Sequence, residues 1–213
     1  HAPAPKLWPA AGGAAAYGAC RVLAVGVSTG GPTALAEILP KLPRDLPVPV
    51  VIVQHMPPLF TRLLAERLQA HSVLRIEEAK DGTVLEAGRV LIAPGDYHMR
   101  VRKEGEKVVA RLDQAPFENS CRPAVDVLFR SVDEVYGGST LAVILTGMGQ
   151  DGLRGCERLK ANRACILAQD EASSVVWGMP GAVVAAGLAD MSVGLNEMAG
   201  EIIRRLGRGG ITK

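Results

Sequence analysis

The sequence is short of cysteine and of net charge, and each shortage excludes a class of protein. Its 24 basic residues nearly balance its 22 acidic ones, which leaves a formal net charge of +2. This balance gives no broad basic surface of the kind that attracts nucleic acid or anionic lipid. The four cysteines form no CxxC pair and lack the dense spacing of a secreted disulfide scaffold, so we expect a reducing, cytoplasmic location.

Long apolar runs are also missing. A membrane helix needs roughly 18 apolar residues or more, and the longest candidate, residues 175–189, is broken by Gly178, Pro180 and Gly181. We therefore interpret that segment as part of the core. The first residues, HAPAPKLWPAAGGAAAYGA, have no basic stretch ahead of an apolar run and do not resemble a signal peptide. Their Ala, Pro and Gly content and the missing initiator Met predict that residues 1–20 are a linker cut from something longer.

The chain has 213 residues, of which 48% are apolar, and this is enough for one domain with a sizeable core. Short β-branched runs alternate with longer amphipathic ones, which is typical of an α/β fold with a parallel sheet. The segment VRKEGEKVVARL differs, because two alternating runs around a glycine predict an antiparallel hairpin within residues 97–112. The predicted strands are residues 21–27, 48–53, 90–93, 141–145 and 164–168, and the predicted helices are residues 33–39, 59–69, 123–135 and 152–161.

A serine with small neighbours follows the first predicted strand. The segment GVSTG at residues 26–30 matches the GxSxG pattern and precedes a predicted helix. A nucleophilic serine on such a turn needs small neighbours, because flanking Cβ atoms would block approach to its hydroxyl. The helix N-terminus offers backbone donors to a developing oxyanion. Ser28 is therefore a candidate nucleophile, although a phosphate-binding loop or a Gly-rich turn in which Ser28 caps the helix also fits the pattern.

Nucleotide-binding motifs fit this region poorly. A P-loop needs Lys followed by Ser or Thr after its glycines, but Gly31 is followed by Pro32 and Thr33. A dinucleotide fold needs an acidic residue near the end of the second strand, where Gln54 and His55 stand instead. Both comparisons argue against a nucleotide as the ligand.

His55 directly follows the second predicted strand. Because the carboxyl ends of neighbouring parallel strands meet at one crevice, His55 can face Ser28 as a general base. Of the other histidines, His1 lies in the predicted linker and His71 at a helix end that suits an exposed side chain. His98 follows the third predicted strand and can approach the same crevice, but a structural role fits it as well. We favour His55 and keep His98 as the alternative.

Asp151 lies in another strand-to-glycine turn, LTGMGQDG at residues 145–152. A carboxylate there can orient the imidazole and stabilise its charged form. The alternative is that Asp151 caps the following helix, but Ser28 and His55 on equivalent loops favour catalysis. The resulting chain order of Ser, His and Asp differs from the Ser, acid, His order of ordinary α/β-hydrolases, which argues against a lipase-type fold.

Other reactive side chains are weaker candidates. A cation such as that of Arg122 can favour a thiolate at Cys121, but no histidine lies near Cys121 in the sequence. Asp170, Glu171 and Asp190 are not joined by a His or Cys cluster at ligand spacing. We expect neither a metal nor a cofactor.

Three motifs together resemble the protein-glutamate methylesterases of bacterial chemotaxis: GVSTGGP at 26–32, QHMP at 54–57 and LTGMGQDG at 145–152. The segments IAPGDYHM, RPAVDVLF and AQDEASSVVWGMPGAV extend the resemblance over residues 21–206, which bound the expected catalytic domain, and residues 207–213 form a tail. The resemblance implies a doubly wound, mostly parallel sheet flanked by helices, with an antiparallel hairpin near one edge.

The same resemblance implies a serine hydrolase that removes methyl esters from glutamate side chains of chemoreceptor helices, releases methanol, and also deamidates receptor glutamines. In that chemistry Ser28 attacks the carbonyl, His55 transfers the proton and Asp151 orients His55. The backbone N–H groups of Thr29 and Met148 are the expected oxyanion donors.

Members of this family usually carry a regulatory receiver domain ahead of the esterase, and nothing in this sequence resembles one. We expect such a domain before residue 1 in the full-length protein. Two alternatives stay open, namely an esterase or deamidase of another chemosensory pathway and a non-catalytic domain that binds phosphate or a nucleotide at the first helix.

Overall fold

The computed structural model describes residues 19–207, which form ten strands and six α-helices. The predicted linker and tail lie outside these residues, apart from residues 19, 20 and 207. The strands are β1 (Val22–Val27), β2 (Val50–Gln54), β3 (Arg75–Glu78), β4 (Thr83–Val84), β5 (Arg89–Ile92), β6 (His98–Glu104), β7 (Lys107–Asp113), β8 (Thr140–Ile144), β9 (Cys165–Gln169) and β10 (Met191–Val193). The helices are α1 (Gly31–Ile38), α2 (Phe60–Gln69), α3 (Val125–Tyr136), α4 (Leu153–Ala161), α5 (Met179–Ala185) and α6 (Leu195–Gly207).

Seven strands form a parallel sheet in the order β10-β9-β8-β1-β2-β5-β3. The chain starts in the centre at β1, builds toward β3 and β5 on one side, and then returns to β8 on the other side. The sheet is therefore doubly wound, and its strand order reverses beside β1. Loops that leave the carboxyl ends of strands diverge at such a reversal and open a crevice.

The predicted α/β fold is confirmed, and its five predicted strands form the middle of the sheet. The edge strands β3 and β10 were not predicted, nor were α5 and α6. The residues of β3 are Arg, Ile, Glu and Glu, of which only Ile76 is buried, so the strand has no apolar run to reveal it. The three-residue strand β10 buries only Val193, for the same reason.

The predicted antiparallel hairpin is confirmed and consists of β6 and β7. It does not extend the parallel sheet. Instead β7 pairs with the short strand β4, and the three strands form a separate antiparallel sheet in the order β4-β7-β6. This small sheet contacts α3, where the Val101 N–H donates a 2.9 Å hydrogen bond to the Ser131 hydroxyl.

The parallel sheet separates two hydrophobic cores. Alternate residues of β1 point to opposite faces, so Leu23, Val25 and Val27 enter one core while Val22 and Ala24 enter the other. Helices α1, α2 and α6 cover the first face, and α3, α4, α5 and the hairpin cover the second. Strands buried on both faces read as nearly continuous apolar runs, which is why the central strands were predictable. Among residues 19–207, no helix is both long and apolar enough to span a membrane.

Two helical glycines provide a matched test of the second core. A Cβ at Gly155 in α4 would lie 2.4 Å from the Cβ of Phe129 in α3, whereas a Cβ at Gly200 in α6 meets nothing within 4 Å. We expect Gly155→Ala to lower the free energy of unfolding by about 1–3 kcal/mol, because the helices must move apart. Gly200→Ala should raise it by about 0.5–1 kcal/mol through the helix propensity of alanine. Urea denaturation measures both, and equal effects of the two variants would contradict close packing of α3 on α4.

Candidate active site

Three loops at the carboxyl ends of β1, β2 and β8 carry the predicted site residues. Ser28 directly follows β1, His55 directly follows β2, and Asp151 lies in the loop between β8 and α4. Because β8, β1 and β2 are adjacent in the sheet, these loops leave the same edge side by side. This is the edge at which the strand order reverses.

His55 and Asp151 are hydrogen-bonded to each other. His55 Nε2 lies 2.7 Å from Asp151 Oδ2, and the two side chains are 13% and 3% exposed. An ionised carboxylate only accepts, so Nε2 carries the proton and donates it. The structure thus brings the predicted base and acid together, and it leaves Nδ1 as the free nitrogen for proton transfer.

Asp151 is anchored at the start of α3. Its Oδ2 accepts a 2.6 Å hydrogen bond from the Val125 N–H, and its Oδ1 accepts bonds from the Asp126 N–H at 3.0 Å and from Asn119 Nδ2 at 2.8 Å. The alternative that Asp151 caps its own helix is wrong, because Gly152 is the N-cap of α4. The carboxylate instead satisfies the first free N–H groups of a neighbouring helix.

The environment favours the charged forms of both partners. Burial acts to raise the pKa of Asp151, but His55 and the N–H groups of Val125 and Asp126 outweigh it and hold that pKa below its ordinary value. Burial acts to lower the pKa of His55, but the hydrogen bond that His55 donates to Asp151 and its interactions with Cys121 outweigh burial and raise this pKa to about 9. The imidazole is therefore a stronger base than a free histidine.

The backbone of Ser28 is fixed from both sides, whereas its hydroxyl is free. The Ser28 N–H donates to the Thr146 carbonyl at 3.0 Å, and the Ser28 carbonyl accepts from the Gly31 N–H at 2.9 Å. Gly30 makes the turn with a φ of 83°, a conformation that side chains with a Cβ rarely adopt. The side chain is partly exposed, and within residues 19–207 its hydroxyl has no hydrogen-bond partner.

Two polar residues that the sequence did not single out as part of the site hold these loops together. The buried Gln54 donates from Nε2 to the carbonyls of both Ser28, at 2.9 Å, and His55, at 3.0 Å. The buried Thr146 donates its hydroxyl to the Thr29 carbonyl at 2.8 Å and accepts from the Val176 N–H. The sequence did contain a signal for both residues, because each is a polar residue that follows a buried apolar run. A side chain at such a position can reach the backbone of the neighbouring loops.

Cys121 lies on the other side of His55. Its Sγ is 3.6 Å from His55 Nδ1, which no local sequence pattern indicated, because the two residues are 66 positions apart. The thiol is partly exposed. No histidine lies near Cys121 in the sequence, but the fold places His55 beside it.

The remaining histidines occupy other positions. His98 is fully buried, and both ring nitrogens are engaged, with the Pro116 carbonyl at 3.0 Å and the Ala124 N–H at 3.2 Å. His98 therefore has a structural role, which was the alternative to a place in the crevice beside Ser28. His71 is exposed at the end of α2, and its Nδ1 lies 3.0 Å from the Arg67 carbonyl. His1 lies outside the described residues.

The expected oxyanion donors lie on two loops beside Ser28. The N–H groups of Thr29 and Met148 have no acceptor among residues 19–207. The loop of Met148 passes close to the serine, because a Cβ at the neighbouring Gly147 would lie 2.8 Å from the Cβ of Ser28. The Met148 side chain is 74% exposed.

One group of side chains has the spacing of metal ligands. Ligand atoms of His55, Cys121 and Asp151 all lie within 4.8 Å of one another. Both Asp151 oxygens already accept hydrogen bonds, so the carboxylate has little capacity left for an ion. Asp190, which was also a candidate metal ligand in the sequence, accepts a 2.8 Å hydrogen bond from the Ile166 N–H. The expectation of no metal and no cofactor stays a prediction.

A cleft of about 380 Å³ opens beside His55. Its lining is mostly apolar and includes Met56, Pro57, Phe117 and Cys121. Arg122 stacks on Phe117, with its guanidinium 4.3 Å from the ring centre, and pairs with Asp96. The cleft can hold a side chain of a substrate next to the imidazole.

Comparisons with known proteins identify the family. The sequence model of the CheB methylesterase family matches residues 23–202. The protein-glutamate methylesterase/protein-glutamine glutaminase of Trichodesmium erythraeum (strain IMS101) is 56% identical over 87% of this chain and 53% of that protein. The protein of the same name from Maricaulis maris (strain MCS10) is 53% identical over 86% of this chain and 46% of that protein. The chain thus spans about half the length of these curated relatives.

A solved structure shows the same architecture. The crystal structure of the Thermotoga maritima CheB methylesterase catalytic domain matches with a TM-score of 0.85 and 42% sequence identity, over 87% of this chain and 98% of that one. From the sequence match, the doubly wound sheet and this likeness, we conclude that the chain belongs to the CheB methylesterase family.

Proposed function

We propose that this chain hydrolyses the methyl esters of glutamate side chains in chemoreceptors and deamidates receptor glutamines, in chemotaxis adaptation. The observation that carries the proposal is the 2.7 Å hydrogen bond between His55 Nε2 and the buried Asp151, beside the fixed turn of Ser28. The names of the relatives supply the two activities. Both reactions transfer an acyl group to water.

In the proposed mechanism, Ser28 Oγ attacks the side-chain carbonyl carbon of the substrate. His55 accepts the serine proton at Nδ1, because Nε2 is bonded to Asp151. The proton then passes to the leaving oxygen, which departs as methanol, or to the leaving nitrogen of a glutamine, which departs as ammonia. Water attacks the acyl-serine in the reverse sequence and restores the hydroxyl. Asp151 stabilises the imidazolium in both steps.

The substrate partner is a cytoplasmic receptor helix, and an exposed apolar rim supports this choice. Phe117, Met148 and Val175 are more than half exposed around the cleft and the serine turn, as are Leu59 and Phe60 just beyond the His55 loop. Clusters of exposed apolar side chains are typical of protein-binding surfaces. An amphipathic helix can lay its apolar face on this rim and extend a modified glutamate into the cleft.

The full-length protein is proposed to be cytoplasmic and to carry a regulatory receiver domain before this chain. The support is that the chain spans about half of its curated relatives. On this proposal the isolated chain is active without the regulatory receiver domain.

The first test is the identity of the nucleophile. Methanol release from methyl-esterified receptor signalling domain should fall by at least about 10³-fold in Ser28→Ala, because the variant lacks the hydroxyl that forms the proposed acyl intermediate. The matched control is Ser192→Ala, on the exposed face of β10, which should keep the wild-type rate. Equal release from Ser28→Ala and the control would exclude Ser28, and no release from the folded wild-type protein would exclude this substrate.

The pH dependence tests the base. Because the pKa of His55 is raised to about 9, kcat/KM should rise with pH and level off near that value, since the free enzyme needs neutral imidazole. The raised pKa also stabilises the folded state fully below the unfolded value of about 6.5, and this contribution disappears as the pH rises through 9. An NMR titration of His55 gives the pKa directly. A midpoint near the ordinary value would contradict the proposed environment.

The oxyanion donor on the third loop can be tested without removing a side-chain function. Met148→Pro deletes the N–H and should lower kcat by about 10²–10³-fold. Met148→Ala keeps the N–H and should leave kcat close to wild type, while KM rises if the rim binds substrate. A folded Met148→Pro protein with the kcat of Met148→Ala would remove Met148 from the mechanism.

A further inference from the structure

The four cysteines have very different surroundings. Cys156 and Cys165 are buried, and burial raises the pKa of both thiols, that of Cys165 to about 12. Cys20 is partly exposed, and burial of part of its side chain also raises its pKa. Cys121 is partly exposed, lines the cleft and lies 3.6 Å from an imidazole nitrogen. Among the cysteines, Cys121 alone combines access with a neighbouring base.

The loop that carries Cys121 encloses His55 from two directions. Asn119 donates to the carboxylate of Asp151 at 2.8 Å, and Asp151 in turn holds His55 Nε2. Two residues later the same loop places the Cys121 thiol at Nδ1. The loop is closed by paired backbone hydrogen bonds between Glu118 and Cys121, at 3.1 and 2.8 Å. The loop that positions the Cys121 thiol therefore also helps to position the Asp151 carboxylate.

Nδ1 is the nitrogen that the proposed esterase mechanism requires for Ser28. In this structure it faces the thiol, and the serine hydroxyl makes no hydrogen bond to it within the described residues. Two nucleophilic groups, the Ser28 hydroxyl and the Cys121 thiol, thus depend on one base.

We propose that Cys121 is a thiol–disulfide exchange site for low-molecular-weight disulfides, and that a mixed disulfide at Cys121 switches the esterase off. The second half rests on the proposed function, whereas modification of the thiol does not. The imidazole activates the thiol in the way that it would activate a serine.

In the exchange, the proton of Cys121 Sγ passes to His55 Nδ1. The thiolate attacks one sulfur of the disulfide, an S–S bond forms to Cys121, and the S–S bond of the reagent breaks. The other half leaves as a thiolate and takes up a proton. The disulfide is the oxidant, and a thiol reductant reverses the reaction. The attached group occupies the cleft beside Nδ1, where the substrate carbonyl has to approach.

The test uses 2-hydroxyethyl disulfide on the folded chain, with adducts located by peptide mass spectrometry and methanol release measured on the same samples. We expect one adduct at Cys121, loss of methanol release in proportion to adduct, and recovery with dithiothreitol. The matched control Cys20→Ser should behave as wild type in all three respects. Cys121→Ser, or Cys121→Ala if the serine variant does not fold, should release methanol at one rate with and without the reagent.

His55→Gln tests the role of the imidazole independently of the esterase. Adduct formation at Cys121 should be slower by about tenfold or more in this variant, because the thiol loses its base. An adduct at Cys20 rather than Cys121, an unchanged rate in His55→Gln, or full methanol release from fully modified protein would each overturn the proposal. A different result would contradict the proposed function instead. In that case the wild-type protein forms the Cys121 adduct when treated but releases no methanol in its untreated, reduced state.

Discussion

The carboxylate of Asp151 is taken almost completely out of water and placed where helix α3 begins. A buried charge is costly unless partners replace its hydration, and here two N–H groups of the helix, one amide and one imidazole do so. The rest of the site depends on this arrangement. It fixes the imidazole through Nε2 and ties the β8–α4 loop to the start of α3.

A second carboxyl group, that of Asp126, lies close to Asp151, so this region has to accommodate two buried acidic groups. Asp126 is buried, accepts the Gly155 N–H at 2.7 Å and shares the Asn119 amide with Asp151. Burial raises the pKa of Asp126, and the charge of Asp151 acts in the same direction. Asn119 can serve both because its amide nitrogen has two hydrogens. The shared amide nitrogen thus donates to both of these adjacent carboxyl groups.

The sequence was informative where burial leaves a periodic trace. Apolar runs revealed the central strands, and the rule that parallel strands end at one edge predicted that the loops of Ser28, His55 and Asp151 lie side by side. Edge strands such as β3 escaped, because one face of an edge strand meets water and the run becomes polar. The anchoring of Asp151 on α3 and the position of Cys121 could not be predicted either. Both depend on the irregular loop ahead of α3, whose sequence has no periodic apolar pattern.

Gln54 has a consequence for how the site responds to force. Its amide nitrogen donates both to the carbonyl of Ser28 and to the carbonyl of His55. The His55 N–H also donates to the Val27 carbonyl at 3.1 Å, so the backbones of Ser28 and His55 are joined both by the Gln54 amide and by the pairing of β1 with β2. Force applied to the turn of Ser28 is therefore shared with the end of β2, which preserves the spacing between the backbones of Ser28 and His55.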